Sequence, residues 1–341
     1  MSKNEKYQMR INSPLSNHNK REFYRIKTDE YGLALGFKPI ERELCLRFDQ
    51  SFPPLDFNAI KNNPPPTEID LLKASLAQHQ KTLAWYQAEN RLTIHDKNQR
   101  YSDISTPKDT AITAPDGTNL PANHINLGTI KGVIRSQYPT NYGVDNFKAM
   151  LAEKRVTILV VIADSNMLDN SSLIYKSLHP PYFKEKEAVK INLIQGQEKN
   201  IDCYQMKLKD SKGKIIPINV AHIKNWLDHT AFSKNEIREL ASIVTKLHQN
   251  AFDNFKNQNS RAINAQGKAL PVIHCSAGVG RTGQLIAAME LINSDSRLSL
   301  ESIIKTLRQE GNPKMVQTSE QMDVLIDLAK DLNKPFRTKD E

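Results

Sequence analysis

The sequence predicts an α/β (α+β) domain organised around a mixed sheet, and three observations carry that prediction. An uninterrupted apolar run, Thr157-Ile158-Leu159-Val160-Val161-Ile162-Ala163, has the length and β-branched content of a buried strand. Further strand patterns alternate with helical ones through the middle of the chain. The last part is mostly helical.

Taken in order, residues 1–66 are mixed and weakly periodic, and they close on Asn62-Asn63-Pro64-Pro65-Pro66. Three consecutive prolines cannot lie inside a helix and favour an extended connector, so a boundary is expected there. Some order is expected at Leu44-Cys45-Leu46-Arg47-Phe48. A helix follows from Thr67 to about Asn90, with Ile69, Leu72, Leu76, Leu83 and Tyr86 near helical spacing. Strands are expected at about 156–163, 190–195, 202–209 and 214–222. The next helix carries a full start signal: Ser233 and Glu236 form a capping box, with Phe232 and Ile237 as the hydrophobic staple. Its apolar face is Ile237, Leu240, Val244, Leu247 and Ala251. A polar stretch at about 256–269 leads to a short strand, Val272-Ile273, then a loop and a helix from near Thr282. Helices at about 299–309 and 318–332 finish the domain. No internal repeat or low-complexity segment is present.

The bulk numbers exclude several classes. No apolar run approaches the roughly 18–20 residues of a membrane-spanning helix, and the N-terminus lacks the apolar core of a secretory signal. Three scattered cysteines, Cys45, Cys203 and Cys275, are too few for a disulfide framework and suit a reduced compartment. The histidines show no metal-ligand spacing, so no metal and no cofactor is expected. The net charge is +9, and residues 1–27 hold seven Lys/Arg against two Glu. Such a leader is either a solvated tail or a contact for an anionic partner, such as a membrane surface or an acidic protein. Aromatic residues do not interleave with the basic ones, which argues against nucleic acid.

Between the strand at 272–273 and its following helix stands His274-Cys275-Ser276-Ala277-Gly278-Val279-Gly280-Arg281-Thr282-Gly283. Gly278 and Gly280 let the backbone curl, so that successive N–H groups point into one concavity. The helix behind adds the positive end of its dipole. Arg281 can grip two phosphate oxygens in fork geometry, which lysine cannot do. A cysteine in such a nest is held as thiolate and can attack phosphorus to form a phosphocysteine. Thr282 can donate to the sulfur as it leaves.

This stretch resembles the signature of the tyrosine-specific cysteine phosphatases, and the resemblance extends over roughly residues 67–336. Three further stretches carry it: Gln99-Arg100-Tyr101-Ser102-Asp103-Ile104, Asn225-Trp226-Leu227-Asp228-His229-Thr230-Ala231, and Met315 to Ile326. Within the family they resemble the secreted effector phosphatase of Yersinia. The resemblance implies a protein-tyrosine-phosphatase fold, a twisted mixed sheet flanked by helices, with a small or poorly structured extension at 1–66 and a tail at 337–341. It makes Cys275 the nucleophile, Arg281 the phosphate clamp and Asp228 the mobile-loop general acid, with Trp226 as hinge anchor. Tyr101 would stack on the substrate ring and set pocket depth, while Asp103 would bond the substrate backbone. Ser276, Ala277, Gly278, Val279 and Gly280 would supply the phosphate cradle, and His274 would orient the nucleophile. Gln317 would position the hydrolytic water, helped by Gln321. Thr318 and Gln321 also fit a capping box for the last helix.

Two departures stand out. Leu227 occupies a position where the family usually has proline, which should loosen the mobile loop. Relatives also carry a Glu that buttresses the catalytic arginine, where this sequence offers Asp164 and Asp169. His229 reads as a loop residue. The implied activity is hydrolysis of phosphotyrosine in proteins by a monomeric, cytoplasmic enzyme. The Yersinia resemblance suggests one delivered by a specialised system into a host cytoplasm, with 1–66 carrying secretion, chaperone or targeting information. A phosphoinositide or dual-specificity phosphatase and an inactive phosphotyrosine-binding module are the alternatives. Against the first, the loop interior carries no Lys or Arg; against the second, Cys275, Arg281 and Asp228 are all present.

Overall fold

The computed structural model describes residues 8–11, 22–28, 34–39, 65–96, 99–127, 132–162, 182–183, 189–190, 200–258 and 269–338. The chain divides into two compact units, Met1–Pro64 and Pro65–Glu341. In the first, β1 (Gln8–Ile11), β2 (Glu22–Thr28) and β3 (Ala34–Pro39) form an antiparallel sheet, with a register shift at Lys27/Thr28. These strands were not foreseen from the weak periodicity of the segment. The order expected at Leu44–Phe48 lies outside the described residues.

The second unit opens with α1 (Glu68–Glu89), whose start is a capping box between Thr67 and Asp70. Strands β4 (Thr93–Ile94) and β5 (Thr106–Pro107) pair with each other. The main sheet has eight strands. They are β6 (Ala111–Thr113), β7 (Asn119–Ile125), β8 (Val133–Ser136), β9 (Ile158–Ile162), β10 (Val189–Lys190), β11 (Ile201–Lys209), β12 (Ile215–Ile223) and β13 (Val272–His274). Their order is β10-β11-β12-β9-β13-β8-β7-β6. The three central ladders, β12 to β9, β9 to β13 and β13 to β8, are parallel, and the outer ones antiparallel.

Every residue of β9 is fully buried, which is why its sequence reads as one apolar run rather than an alternation. On one face Ile158, Val160, Ile162, Ile273 and Cys275 pack against α3 (Lys234–Gln258), α4 (Gly280–Ile292), α5 (Leu300–Thr306) and α6 (Ser319–Asp331). On the other, Leu159, Val161 and Val272 pack with Phe147, Met150 and Leu151 of α2 (Val144–Glu153). Helix α3 starts as its caps require: Ser233 N–H and hydroxyl donate to Glu236 at 2.8 and 2.6 Å. Helix α5 runs into a π turn, Leu307–Gly311, instead of ending at 309.

Two differences from the sequence reading matter for the site. The short strands between 93 and 136, and helix α2, were not foreseen. Helix α4 begins at Gly280, not Thr282, so the second half of the signature loop is already helical.

Candidate active site

The signature loop hangs between the C-terminal end of β13 and the first turn of α4, in the middle of the parallel strands. Ligand sites in such sheets lie beyond the carboxyl ends of strands. Cys275 is 2% exposed, and Gly278 N–H donates to its Sγ at 3.3 Å. Gly278 has φ +72°, a left-handed conformation that few side chains tolerate, and its N–H is thereby turned into the nest. Ser276 O accepts from Tyr138 N–H at 2.9 Å, pinning the loop's outer edge to the residues after β8.

Arg281 is buried, yet its guanidinium reaches the rim. Nη1 donates to Trp226 O at 2.7 Å, and Nη2 pairs with Asp228 Oδ1 at 2.9 Å. Arg281 Nε and Thr282 Oγ1 are buried and have no partner among the described residues. Two unmet donors beside the inward N–H of Gly278 suit an anion site.

The loop bearing Asp228 is anchored by Trp226, which is fully buried, stacks on Phe232 with ring centroids 4.3 Å apart and donates from Nε1 to Thr230 O at 3.2 Å. Asn225 and His229, flanking the acid, both have positive φ, 64° and 60°. His229 N–H donates to Asp228 Oδ1 at 3.1 Å, and its side chain is exposed. Leu227 is 52% exposed, so no core packing demands that residue in place of proline.

Tyr101 is half-buried; its hydroxyl lies 2.5 Å from Ser276 Oγ, and its N–H donates to Gln137 Oε1 at 2.9 Å. Asp103 is paired with Lys314 at 2.6 Å, and that bond keeps its carboxyl below the usual range. The sequence reading did not anticipate Lys314. Gln317 is exposed, with Oε1 only 3.2 Å from where a Cβ on Gly280 would sit. Gln321 is buried and fully engaged. Its Oε1 accepts from Gln317 and Thr318 N–H at 2.9 and 3.3 Å, and its Nε2 donates to Thr230 O at 3.1 Å. The capping box of α6 therefore also ties that helix to the acid-bearing loop. Ala277, Val279 and Gly280 complete the turn, Val279 fully buried.

His274 is buried, with Nδ1 3.0 Å from Cys275 O and Nε2 2.7 Å from Tyr182 OH. Tyr182 and Gln137 are the partners that sequence reasoning missed; neither stands in a recognisable pattern. Asp164 and Asp169 lie outside the described residues.

A buried cysteine at the mouth of a glycine-rich nest, an arginine at its rim and an aspartate on a neighbouring loop define a phosphate-handling thiol site of the cysteine-phosphatase class. A family model, Protein-tyrosine phosphatase, matches residues 95–331, and the chain belongs to that family. It is similar to the tyrosine-protein phosphatase YopH of Yersinia pseudotuberculosis serotype I, 34% identical over 251 residues covering 71% of this chain and 52% of that protein. It is also similar to the secreted effector protein SptP of Salmonella paratyphi A, 27% identical over 231 residues, 64% of this chain and 39% of SptP. The chain thus spans about half the length of YopH and less of SptP. Among solved structures, Trypanosoma brucei TbPTP1 aligns with a TM-score of 0.54 at 21% identity, over 77% of this chain and 94% of that one. PTPN18 in complex with HER2 phosphopeptides aligns with a TM-score of 0.55 at 18% identity, over 78% and 93%. At those identities the likeness establishes the fold.

Proposed function

We propose that the chain hydrolyses phosphotyrosine in proteins through a phosphocysteine intermediate. The observation that carries this reading is the 2.9 Å pair between Arg281 and Asp228 at the mouth of the Cys275 nest. It brings clamp and acid within reach of one phosphate.

In this reading the entering phosphate takes the donors of Arg281 and the loop N–H groups, displacing Asp228 from Nη2. Asp228, released from Arg281, takes up a proton from solvent. Cys275 thiolate attacks phosphorus, the phosphorus–oxygen bond to the ring breaks, and Asp228 passes that proton to the leaving phenolate. Water oriented by Gln317 then attacks the phosphocysteine. Asp228 takes the water's proton, and inorganic phosphate and the thiolate are released. Trp226, held by Phe232 and bonded through its carbonyl to Arg281, links closure of the acid loop to occupancy of the clamp. Tyr101 forms the pocket wall, and Gln321 supports Gln317. Asp103 contacts the substrate backbone only after exchanging Lys314.

The proposed catalytic domain is 67–336, with 1–66 as a targeting or regulatory extension that serves secretion, a chaperone or an anionic membrane surface. Similarity to YopH, a tyrosine-protein phosphatase, and to SptP, a secreted effector protein, supports a phosphatase secreted as an effector, and action on host phosphoproteins extends that reading. Delivery is tested by asking whether 1–66 carries a fused reporter enzyme out of the bacterial cell.

Phosphate release from phosphotyrosine peptide, phosphoserine peptide and phosphoinositide is compared for the wild type, Cys275→Ser and Asp228→Ala. Cys275→Ser is expected to lose all turnover, and Asp228→Ala to lose roughly 10²–10⁴-fold. Activity surviving in Cys275→Ser would overturn the mechanism; preference for the lipid would overturn the substrate class.

A further inference from the structure

A second buried arginine stands behind the nucleophile. Arg135 lies on β8 opposite Ile273 of β13, so strand alternation puts its side chain on the same sheet face as Ile273 and Cys275. It is wholly buried. Its Nη2 donates to Gly311 O at 2.7 Å, to Ser105 O at 3.3 Å and to Asn123 Oδ1 in a short bond. Nε and Nη1 have no partner among the described residues, and no carboxylate there pairs with it. Burying a guanidinium without a counter-ion is costly. Its position therefore needs a compensating gain.

The carbonyls it holds show where that gain lies. Ser105 ends the segment that carries Tyr101 and Asp103. Gly311 begins the segment that leads to Gln317, and Asn312 Nδ2 donates to Ser105 O as well, at 2.9 Å. A third buried arginine, Arg308, grips Met315 O at 3.2 Å in the same segment. Arg135 thus fastens the pocket wall to the base of the water-positioning loop, next to the strand that ends in the nucleophile.

We propose that Arg135 is a positioning residue for the Cys275 reaction, which joins these two segments and whose buried charge favours the thiolate. This rests on the phosphatase reading only for the role of Cys275. Burial lowers the guanidinium to about 9 and the charge of Cys275 works against that shift, so Arg135 is protonated at neutral pH. Charges in a low-dielectric interior act over longer distances than in water. The other titratable groups at the thiol's side of the sheet are Arg281 from its own segment, Asp228, which pairs with Arg281, and Tyr101, whose hydroxyl lies 2.5 Å from Ser276 Oγ. The His274 ring turns to the opposite face against Tyr138, Phe147 and Tyr182. Glu310, on the π turn, accepts from Asn126 N–H at 2.5 Å and does not pair with Arg135.

The test titrates the thiol directly, by the rate of Cys275 alkylation with iodoacetamide against pH, which requires no turnover. Arg135→Met is expected to raise the midpoint of that curve by on the order of one pH unit, with the acid limb of kcat/KM moving in parallel. Arg135→Lys should restore most of the midpoint. Asn123→Asp supplies a counter-charge while leaving the arginine in place, and it should raise the midpoint as well. It keeps the test valid if Arg135→Met does not fold. A role confined to folding would lower the melting temperature and leave every midpoint at the wild-type value, and that result would overturn the proposal. A wild-type chain without phosphatase activity, but with the expected midpoint shifts in the variants, would instead count against the phosphatase reading alone.

Discussion

Gly278 shows how a single residue sets the chemistry of the loop. Its φ is +72°, and a Cβ added there would lie 2.1 Å from Ser136 O, a backbone atom with nowhere to move. Both the conformation and the space exclude a side chain. Gly278→Ala is expected to cost about 1–3 kcal/mol of stability from backbone strain. It should also abolish competitive inhibition by inorganic phosphate, because the N–H of residue 278 leaves the nest. Denaturant midpoints and phosphate inhibition constants check the two effects separately. The need for glycine here was legible in the sequence, since the loop's residues are contiguous. The partner that makes it obligatory, Ser136, was not, because it comes from another strand.

Among the elements, α6 does two things with one capping box. Thr318 caps its first turn, with Gln321 N–H donating to Thr318 Oγ1 at 3.2 Å, while the Gln321 side chain holds Thr230 O of the loop that bears Asp228. Thr318→Ala is expected to cost about 1 kcal/mol, the usual value of a lost cap, in a thermal or denaturant melt. The same variant should weaken the loop's anchor and so lower kcat more than it raises KM. Unchanged kcat would mean that Gln321 holds the loop without help from the cap. The start signals of α3 and α6 were readable because they span only a few residues, whereas α1 was read from its helical spacing alone. Helix α2 has Gly143 at its N-cap, which makes no side-chain cap bond, and it went unread for that reason.

For the molecule as a whole, buried histidines set the acid side of stability. Burial lowers His248 to about 4, where its Nδ1 lies 2.7 Å from Thr157 Oγ1. Burial likewise lowers the half-buried His79 to about 4, helped by the charges of Lys305 and Arg308. Unfolded histidine titrates near 6.5. Between those values the unfolded chain binds more protons than the folded one, so stability is full above about pH 6.5 and falls as pH drops toward 4. The melting temperature should therefore decline from pH 7 to pH 5, with a shallower decline in His248→Gln. An equal slope in that variant would assign the effect to other groups. Short strands from 93 to 136 escaped the sequence reading at this scale. Asn123, Arg135, Ser136 and Gln137 are all buried, so apolar alternation is broken where the sheet is most enclosed.

The sequence alone determined the glycine-rich loop around Cys275, the caps of two helices and the buried central strand. Each of these is written in consecutive residues or at helical spacing, where backbone geometry and side-chain type act locally. Tertiary structure alone decided that Asp228 meets Arg281, that Tyr182 holds His274, that Lys314 occupies Asp103 and that Arg135 enters the core. Those pairings join residues far apart in the chain. They form because folding removes polar groups from water, and each then takes whichever partner the sheet and its loops bring within hydrogen-bond distance.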